Sequence, residues 1–268
     1  MNGRIGIFDS GLGGLFMMKA IVEAGPRYDY IYLGDTQRLP YGNRSSETVY
    51  MFLREAVTYL FQQQQCALII VACNTASAEA LRRIQQEYLP PNYPDRRVLG
   101  VIIPAAEAVL ERGIMRVGVL ATEGTVQSGA FTRELKKLNP RVEVFHEAAP
   151  LLVPLLENGD TAYKNLIVEE YIRAVEKHGI NGLLLGCTHY PILKAEIRAV
   201  LQPQIQLVCQ DEIVPGKLQT YLRRHPELDE KLGKNGKREF LVTDITPTLE
   251  KKANEWFGKD VALEVVEL

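Results

Sequence analysis

Short apolar runs alternate along this chain with longer segments whose apolar residues recur at helical spacing. The runs predict buried strands at residues 4–8, 30–34, 67–71, 98–102, 142–145, 182–185 and 205–208. The segments predict amphipathic helices at residues 46–64, 76–88 and 161–177, and the proline-rich stretch 89–95 predicts a loop. Because strand and helix patterns alternate, we expect an α/β fold with mostly parallel sheets and helices on both faces.

The chain also contains an internal repeat. Arg4-Ile5-Gly6-Ile7-Phe8-Asp9-Ser10-Gly11 resembles Arg116-Val117-Gly118-Val119-Leu120-Ala121-Thr122-Glu123-Gly124. Cys73 and Cys187 are separated by nearly the same number of residues as these two segments. The repeat therefore predicts two similar, doubly wound halves, each presenting one thiol to a cleft between them.

Each of these cysteines stands where a predicted strand ends. Cys73 lies in Val71-Ala72-Cys73-Asn74-Thr75, and Cys187 lies in Leu185-Gly186-Cys187-Thr188-His189. Ligands of open α/β sheets bind at the carboxyl ends of strands. Two thiols on opposite sides of one carbon can remove an α-proton from one face and return a proton to the other, which is what a racemase does. Cys66 and Cys209 lack polar neighbours of this kind and are interpreted as structural.

Neither a cofactor nor a metal ion is expected. Pyridoxal phosphate, an electron sink for amino-acid carbanions, needs a Schiff-base lysine, and no lysine stands in a strand-end motif. Cys187 and His189 are residue types that bind zinc, but CxxC and HxxxH spacings are absent from the sequence. A cysteine hydrolase with Cys187 as nucleophile and His189 as base is an alternative, although it leaves Cys73 without a role.

The composition narrows the possible function classes. The 268 residues are 46% hydrophobic and 24% charged, with a net charge of −2 and a pI near 6.2. No basic excess predicts nucleic-acid binding, and no apolar run approaches the roughly 18 residues of a membrane span. No signal peptide is expected, because residues 4–8 already form a predicted strand. We therefore expect a cytoplasmic protein whose four cysteines are free thiols.

Two glycine-containing loops supply candidate substrate contacts. Asp9 follows the first predicted strand in Phe8-Asp9-Ser10-Gly11-Leu12-Gly13-Gly14, where the glycines permit a tight turn and close approach of the backbone to a ligand. Asp9 either caps the following helix or contacts a substrate ammonium group or Cys73. Gly34-Asp35 with Pro40-Tyr41-Gly42 predicts a second loop, whose backbone amides suit a carboxylate.

Together these motifs resemble the glutamate racemases, cofactor-independent enzymes of the aspartate/glutamate racemase superfamily. The matching segments run in the family's order over nearly the whole chain: residues 6–11, 34–35, 40–42, 71–77, 100–104, 150–157 and 185–191. The most specific are Ala-Cys-Asn-Thr and Gly-Cys-Thr-His-Tyr-Pro. The resemblance implies interconversion of L- and D-glutamate, supplying D-glutamate for peptidoglycan. It also implies two pseudo-symmetric α/β domains with the active site between them.

The resemblance further implies roles for individual residues. Cys73 would deprotonate the D-isomer, assisted by Asp9. Cys187 would deprotonate the L-isomer, assisted by His189, with Glu157 near this histidine. The substrate-binding residues would be Asp9, Ser10, Tyr41, Gly42, Asn74, Thr75, Thr125, Thr188 and His189. A homodimer is expected, since members of the family are commonly dimers.

We place the domain boundaries near residues 98 and 211. The first domain would comprise residues 1–98 and 212–268, and the second residues 99–211. The predicted loop at 89–95 precedes the first boundary, whereas the return of the C-terminal segment to the first domain rests on the resemblance. The chain departs from the family at Ala149, where a cysteine is common, and at Val208-Cys209-Gln210-Asp211, where a Val-Asp-Ser-like stretch is common.

Two other functions remain open at this point. A sibling racemase that acts on aspartate or another small acid would retain both cysteines, although the Tyr41-Gly42 and Thr188-His189 motifs favour glutamate. A two-lobed binding protein without chemistry belongs to a different class. It would keep its affinity for the ligand after both cysteines were replaced.

Overall fold

The computed structural model of the protein describes residues 3–158, 163–258 and 261–268. Its strands are β1 (Arg4–Asp9), β2 (Tyr30–Gly34), β3 (Cys66–Val71), β4 (Arg97–Gly100), β5 (Arg116–Ala121), β6 (Glu143–Ala148), β7 (Gly182–Gly186), β8 (Gln206–Cys209), β9 (Arg238–Val242) and β10 (Leu263–Val265). Its α-helices are α1 (Gly14–Ala24), α2 (Ser46–Gln62), α3 (Asn74–Glu79), α4 (Leu81–Arg83), α5 (Leu89–Asn92), α6 (Ile102–Glu111), α7 (Glu123–Gln127), α8 (Ala130–Leu138), α9 (Leu152–Asn158), α10 (Lys164–Glu176), α11 (Lys194–Val200), α12 (Gln210–Arg224), α13 (Pro226–Asp229) and α14 (Pro247–Phe257). Tyr41–Asn43 and Tyr190–Leu193 form 3-10 helices, and Ile84–Tyr88 forms a π-helical turn.

The strands form two sheets with the same internal order. The larger sheet runs β10-β9-β2-β1-β3-β4 and the smaller runs β6-β5-β7-β8. All pairings between the described strands are parallel. The order β2-β1-β3-β4 therefore recurs as β6-β5-β7-β8, with the two repeat segments, β1 and β5, at equivalent places. The predicted α/β fold with two similar, doubly wound halves is confirmed.

Helices cover both faces of each sheet, which explains why the strands are continuous apolar runs. On β3, Ile70 packs in a core with Met18 of α1, while its neighbour Ile69 packs on the opposite face with Leu53 of α2. Successive strand residues point to opposite faces, so both faces must be apolar when both are covered. Residues 66–71 are accordingly all buried. The smaller sheet likewise has one apolar core on each face.

The structure corrects two local predictions. Residues 76–88 do not form one helix, because Ala80 has a non-helical φ of −124° that separates α3 from α4, and a π-helical turn follows. The loop predicted at 89–95 is wrong in its first part, since α5 occupies Leu89–Asn92. Proline is tolerated there because the N–H groups of a first helical turn need no intrahelical acceptor. Of the helix predicted at 161–177, residues 161–162 lie outside the described residues, and α10 begins at Lys164.

Two crossings connect the sheets. The chain passes from β4 through α6 to the smaller sheet, and from β8 through α12 back to β9 of the larger sheet. α12 packs against α1 on one side and α6 on the other. The domain boundaries near residues 98 and 211 fall at these crossings and stay a prediction. Among the described residues, no helix has the length and apolar character needed to cross a membrane.

Gly34, the last residue of β2, has no room for a side chain. A Cβ atom there would lie 2.5 Å from the carbonyl oxygen of Gly11, in the loop after β1. Since a backbone atom must move, we expect Gly34→Ala to destabilise the fold by about 1–3 kcal/mol. Urea unfolding measures this change.

Gly216→Ala is the matched control. Gly216 is exposed within α12, and a Cβ atom there would meet no atom within 4 Å. Alanine is the better helix former, so this variant should gain up to about 1 kcal/mol. Equal unfolding free energies for the two variants would contradict the packing described at Gly34.

Candidate active site

A small cavity lies where the carboxyl ends of strands from the two sheets meet. Its volume is about 60 Å³. The loops after β1, β3 and β7 contribute to its wall, together with the 3-10 helix Tyr41–Asn43 and helix α9. The predicted site residues that line it are Ser10, Tyr41, Gly42, Cys73, Asn74, Thr75, Glu157, Cys187, Thr188 and His189. The two thiols thus border one space, each at the edge of a different sheet.

Cys73 occupies the N-cap position of α3, just past the end of β3. Its Sγ accepts a hydrogen bond from the Ala76 backbone N–H at 3.4 Å and donates one to Ser10 Oγ at 3.3 Å. Burial and the nearby Asp9 carboxylate raise the pKa of Cys73 to about 12, although the bonds with Ser10 and Ala76 oppose this rise. Cys73 is therefore a protonated thiol at neutral pH.

Asp9 lies behind the cavity at the end of β1 and is completely buried. Its Oδ2 accepts from the backbone N–H groups of Gly11 and Gly14, both at 3.1 Å. Its Oδ1 accepts from Thr188 Oγ1 at 3.2 Å, which joins the loop after β1 to the loop after β7. Burial raises the pKa of Asp9, while the charge of His189 and these hydrogen bonds oppose the rise. Asp9 thus both caps the start of α1 and links the two halves.

The approach between these two loops is close enough to require glycine at position 13. A Cβ atom on Gly13 would lie 2.6 Å from His189 Nδ1 and 2.7 Å from Thr188 Oγ1. Contacts under about 3.0 Å force something to shift, and both atoms here belong to the residues after Cys187. The glycines after Asp9 therefore permit the two halves to come into close contact, in addition to forming the turn.

Cys187 has a different environment from Cys73. Its Sγ lies 3.9 Å from His189 Nδ1, and His189 Nε2 lies 3.1 Å from Glu157 Oε1. Burial lowers the pKa of His189, but Cys187 and Glu157 together outweigh it and raise the pKa to about 10. His189 is therefore an imidazolium at neutral pH. A cation beside a sulfur stabilises negative charge on that sulfur.

The two thiols consequently lie in opposite electrostatic surroundings. A buried thiol next to a carboxylate stands on the Cys73 side, and a sulfur next to an imidazolium stands on the Cys187 side. One side is suited to give a proton and the other to take one. Such an arrangement is what proton transfer across a carbon between them requires.

Polar groups at the rim supply further contacts. Tyr41 is buried and donates its hydroxyl hydrogen to Asp35 Oδ2, and burial with the charge of Asp35 raises the pKa of this phenol. Thr75 Oγ1 lies 2.9 Å from Thr122 Oγ1 and 3.4 Å from Thr125 Oγ1. Thr75 and Thr122 line the cavity, and Thr125 is fully buried behind them. The predicted residue Gly42 packs against this threonine cluster, since a Cβ atom there would lie 3.0 Å from Thr122 Cβ.

Comparison with known proteins identifies the family. The family model for Asp/Glu/Hydantoin racemases matches residues 5–210. The chain belongs to this family. A glutamate racemase of Geobacter metallireducens is 40% identical over 259 residues, which covers 95% of this chain and 92% of the relative.

Solved structures agree with this assignment. Glutamate racemase isoform RacE1 from Bacillus anthracis superposes with a TM-score of 0.89 at 33% identity, over 99% of this chain and 98% of that one. The glutamate racemase of Francisella tularensis, solved in complex with D-glutamate, gives a TM-score of 0.88 at 32% identity over the same shares. The family resemblance and the enzyme class predicted from the motifs, an isomerase that acts as an amino-acid racemase, are confirmed.

Several residues in and around this cavity were not predicted from the sequence. Thr122 bonds to Thr75, and it stands in the internal repeat at the position of Ser10, so the repeat carried a signal for it. Gln210 pairs with Asn74 through reciprocal hydrogen bonds. Lys252 and Trp256, both on α14, had no signal because they reach the site from a distant part of the chain.

Two residues of α14, Lys252 and Trp256, support the Glu157–His189 pair. Lys252 Nζ donates to the carbonyl oxygen of Leu156 at 2.8 Å and also to that of Glu157, at the C-terminal end of α9. A cation is favourable there because helix C-termini carry partial negative charge. The indole of Trp256 meets the His189 ring edge-on, with centroids 5.7 Å apart. Both ends of the ion pair are thus held by one helix.

The residue types that bind metal ions do not cluster in the part of the chain that the structure describes. Among the described residues, no group of three or more His, Cys, Asp or Glu side chains is arranged to hold a metal ion. Cys66 and Cys209 are buried in separate apolar cores and do not line the cavity. All four cysteines are free thiols. The absence of a metal or organic cofactor from the active enzyme stays a prediction.

Replacing Glu157 should lower the pKa of His189. In Glu157→Gln, the ring loses a charged partner, so its pKa should fall from about 10 toward the ordinary 6.5. NMR titration of the His189 ring, assigned with a His189→Gln variant, measures this shift. An unchanged pKa would contradict the ion pair.

The same pair makes stability depend on pH with a definite sign. Because the folded pKa of His189 lies above its unfolded value, protonation stabilises the fold fully below about pH 6.5 and is lost as the pH rises through about 10. The loss in unfolding free energy caused by Glu157→Gln should therefore be larger near pH 6 than above pH 10. Denaturant titrations at both pH values test this, and a loss that grows with pH would refute it.

Removing Lys252 should loosen the Glu157–His189 ion pair while leaving both of its side chains in place. In Lys252→Met, Glu157 is held less firmly, but a positive charge near the imidazolium is also lost. The pKa of His189 should therefore fall by less than in Glu157→Gln, and stability should fall by about 0.3–1 kcal/mol. Lys251→Met is the matched control, because the side chain of Lys251 is 79% exposed and, among the described residues, forms an ion pair with Glu255 alone, at 3.8 Å. The same NMR titration compares them. Equal pKa values in the two variants would show that Lys252 does not support the site.

Proposed function

We propose that this protein interconverts L- and D-glutamate without a cofactor, with Cys73 and Cys187 as the two acid/base groups. The observation that carries this proposal is that both thiols line one cavity, Cys73 near the Asp9 carboxylate and Cys187 beside the His189 imidazolium. Membership of the racemase family and the glutamate racemase relatives support the substrate. The D-glutamate formed would supply peptidoglycan synthesis, as the motif resemblance implies.

In the L-to-D direction, the sulfur of Cys187 takes the α-proton. The neighbouring imidazolium of His189, held by Glu157, stabilises the thiolate that performs this step. The Cys73 thiol gives its proton to the opposite face of the carbanion. The bond from the α-carbon to the first proton breaks, a bond to the second proton forms, and the configuration inverts.

In the D-to-L direction, Cys73 must first lose its proton. Its pKa is raised by burial and by Asp9, so the thiolate has to form when the substrate is bound. Asp9 raises the pKa of Cys73, and the positive ammonium group of a bound substrate would offset this effect. We assign Asp9 and Ser10 to hold the ammonium group. Asp9 then assists Cys73 by binding the cation that favours the thiolate.

The remaining polar residues are assigned to the substrate carboxylates. Thr75 and Thr188 offer hydroxyl groups at the cavity wall, and Thr125 supports Thr75 from behind. The segment at Tyr41 and Gly42 offers backbone N–H groups. Asn74 contributes a side-chain amide at the cavity wall. Because typical ligand sites have volumes of about 300–1,000 Å³, a cavity of about 60 Å³ requires the halves to separate before glutamate enters.

Two finer points extend this proposal. We assign the protein to the cytoplasm, supported by four reduced cysteines that no disulfide joins. We also expect a homodimer, as the family resemblance implies, and light scattering of the purified protein would measure its mass. No contact with nucleic acid or membrane is part of the proposed reaction.

The first test is isotope exchange without added cofactor. Protein treated with a chelator and freed of pyridoxal phosphate should racemise L-glutamate in deuterium oxide, with deuterium at the α-carbon of the D-product. Circular dichroism follows the loss of optical activity, and mass spectrometry follows the label. Racemisation of aspartate in place of glutamate would keep the mechanism and overturn the substrate.

Alanine variants of three cysteines test the assignment of bases. Cys73→Ala and Cys187→Ala should each lower kcat/KM by about 10²–10⁴-fold, because each turnover needs both groups. The losses must be equal in the two directions, since two enantiomers have equal free energy. Cys66→Ala is the control, because this buried cysteine lies outside the cavity. Full racemisation by Cys73→Ala would contradict the two-thiol assignment. No racemisation by wild type, with a hydrolysis that survives Cys73→Ala but not Cys187→Ala, would favour a hydrolase built on Cys187 and His189. Binding of glutamate with no turnover in wild type would favour a binding protein.

A further inference from the structure

Asn74 of the Cys73 loop and Gln210 of the second crossing form a reciprocal amide pair. Asn74 Nδ2 donates to Gln210 Oε1 at 2.7 Å, and Gln210 Nε2 donates to Asn74 Oδ1 at 2.8 Å. Each side chain is only 2% exposed. The two residues belong to different parts of the chain, since Asn74 begins α3 and Gln210 begins α12. This buried pair therefore joins the residue after Cys73 to the crossing between the sheets.

A third group fixes the orientation of both amides. Gln210 Nε2 also donates to the backbone carbonyl oxygen of Val101, at 3.3 Å. A carbonyl oxygen can only accept a hydrogen bond, so the NH₂ end of Gln210 must face it. Gln210 Nε2 gives its other hydrogen to Asn74 Oδ1, and Gln210 Oε1 faces Asn74 Nδ2. Asn74 must therefore present its NH₂ end to Gln210 Oε1. The orientation of Asn74 thus follows from Val101 through Gln210.

The arrangement leaves one N–H of Asn74 for a ligand. Nδ2 carries two hydrogens, and one is committed to Gln210 Oε1. Within the described ranges, the other has no acceptor, and Asn74 lines the cavity between the thiols. An N–H at this wall is suited to bind a carboxylate oxygen. A reversed amide would point a carbonyl oxygen at the substrate instead.

We propose that Gln210 is a positioning residue of the racemase, which sets the Asn74 amide so that its second N–H binds a substrate carboxylate. The inference rests on the proposed function, because it assigns Asn74 to the glutamate. Val101 lies between β4 and α6, and Gln210 is the first residue of α12, directly after β8. The hydrogen bond between them therefore joins the two chain crossings. Gln210 itself does not line the cavity and acts only through Asn74.

Gln210→Met tests the role because methionine keeps the length of the side chain and removes both hydrogen-bonding groups. Asn74 then loses the partner that orients it. We expect KM for both glutamate isomers to rise about 3–30-fold, with kcat within about threefold of wild type, since a hydrogen bond to a charged group is weakened. Gln206→Met is the control, because Gln206 lies on the same crossing, in β8, and its side chain is exposed.

A double variant separates positioning from general structural damage. If Gln210 acts through Asn74, then Asn74→Ala and the double variant Asn74→Ala/Gln210→Met should have KM values within about twofold of each other. A purely structural role would make the two losses multiply, and that result would overturn the inference. KM does not depend on the folded fraction, so a variant that folds poorly still gives an answer.

Gln210→Glu provides a second variant if the methionine fails to fold. It keeps the shape and an acceptor for Asn74 Nδ2, so its KM should lie between those of wild type and Asn74→Ala. A KM equal to wild type in every Gln210 variant would overturn the inference. Racemisation by the wild-type enzyme is measured first, so failure of the proposed function is seen separately from failure of this role.

Discussion

The buried carboxylate of Asp9 is the interaction on which the rest of the site depends. It ends the central strand of the larger sheet, caps the first helix through Gly14, and receives the hydroxyl of Thr188 from the other half. A buried carboxylate is costly unless its oxygens are hydrogen-bonded, and here both oxygens have donors. Its position therefore fixes how the two strand ends approach one another.

From this contact follows the difference between the two thiols. The carboxylate lies near Cys73 and, with burial, holds that sulfur in its protonated form. On the far side, the ion pair of His189 with Glu157 places positive charge beside Cys187. The repeat makes the two halves alike in backbone, while a few side chains place a carboxylate near one sulfur and an imidazolium near the other. A racemase needs this difference, because in each turnover one sulfur takes a proton from the α-carbon and the other sulfur gives a proton to the opposite face.

The sequence predicts those parts of the structure that depend on local patterns. Buried parallel strands appear as apolar runs, and a thiol followed by small polar residues marks a strand end, so the pattern alone places Cys73 and Cys187 at the cleft. The single helix predicted at 76–88 is wrong because the break at Ala80 is a backbone conformation that helical periodicity does not reveal. The α5 turn escapes prediction because Pro90 and Pro91 suggest a loop, although the first turn of a helix accepts them.

The supporting contacts could not be predicted, because they join segments far apart in the chain. Lys252 and Trp256 approach the Glu157–His189 pair only because α14 packs beside the end of α9 and the His189 ring. Gln210 meets Asn74 only because the two crossings converge. Neither contact leaves a periodicity or a motif in the sequence. The chemistry can thus be inferred from the residues, whereas the groups that hold it in place are visible only in the fold.

A crystal structure with glutamate bound would test the central claim most directly. We predict that the α-carbon lies between the two sulfurs, with Sγ of Cys73 on one face and Sγ of Cys187 on the other. Each sulfur should lie about 3–3.5 Å from the α-carbon. We further predict the ammonium group beside Asp9. Both sulfurs on the same face of the substrate, or one of them remote from the α-carbon, would contradict a two-thiol racemisation.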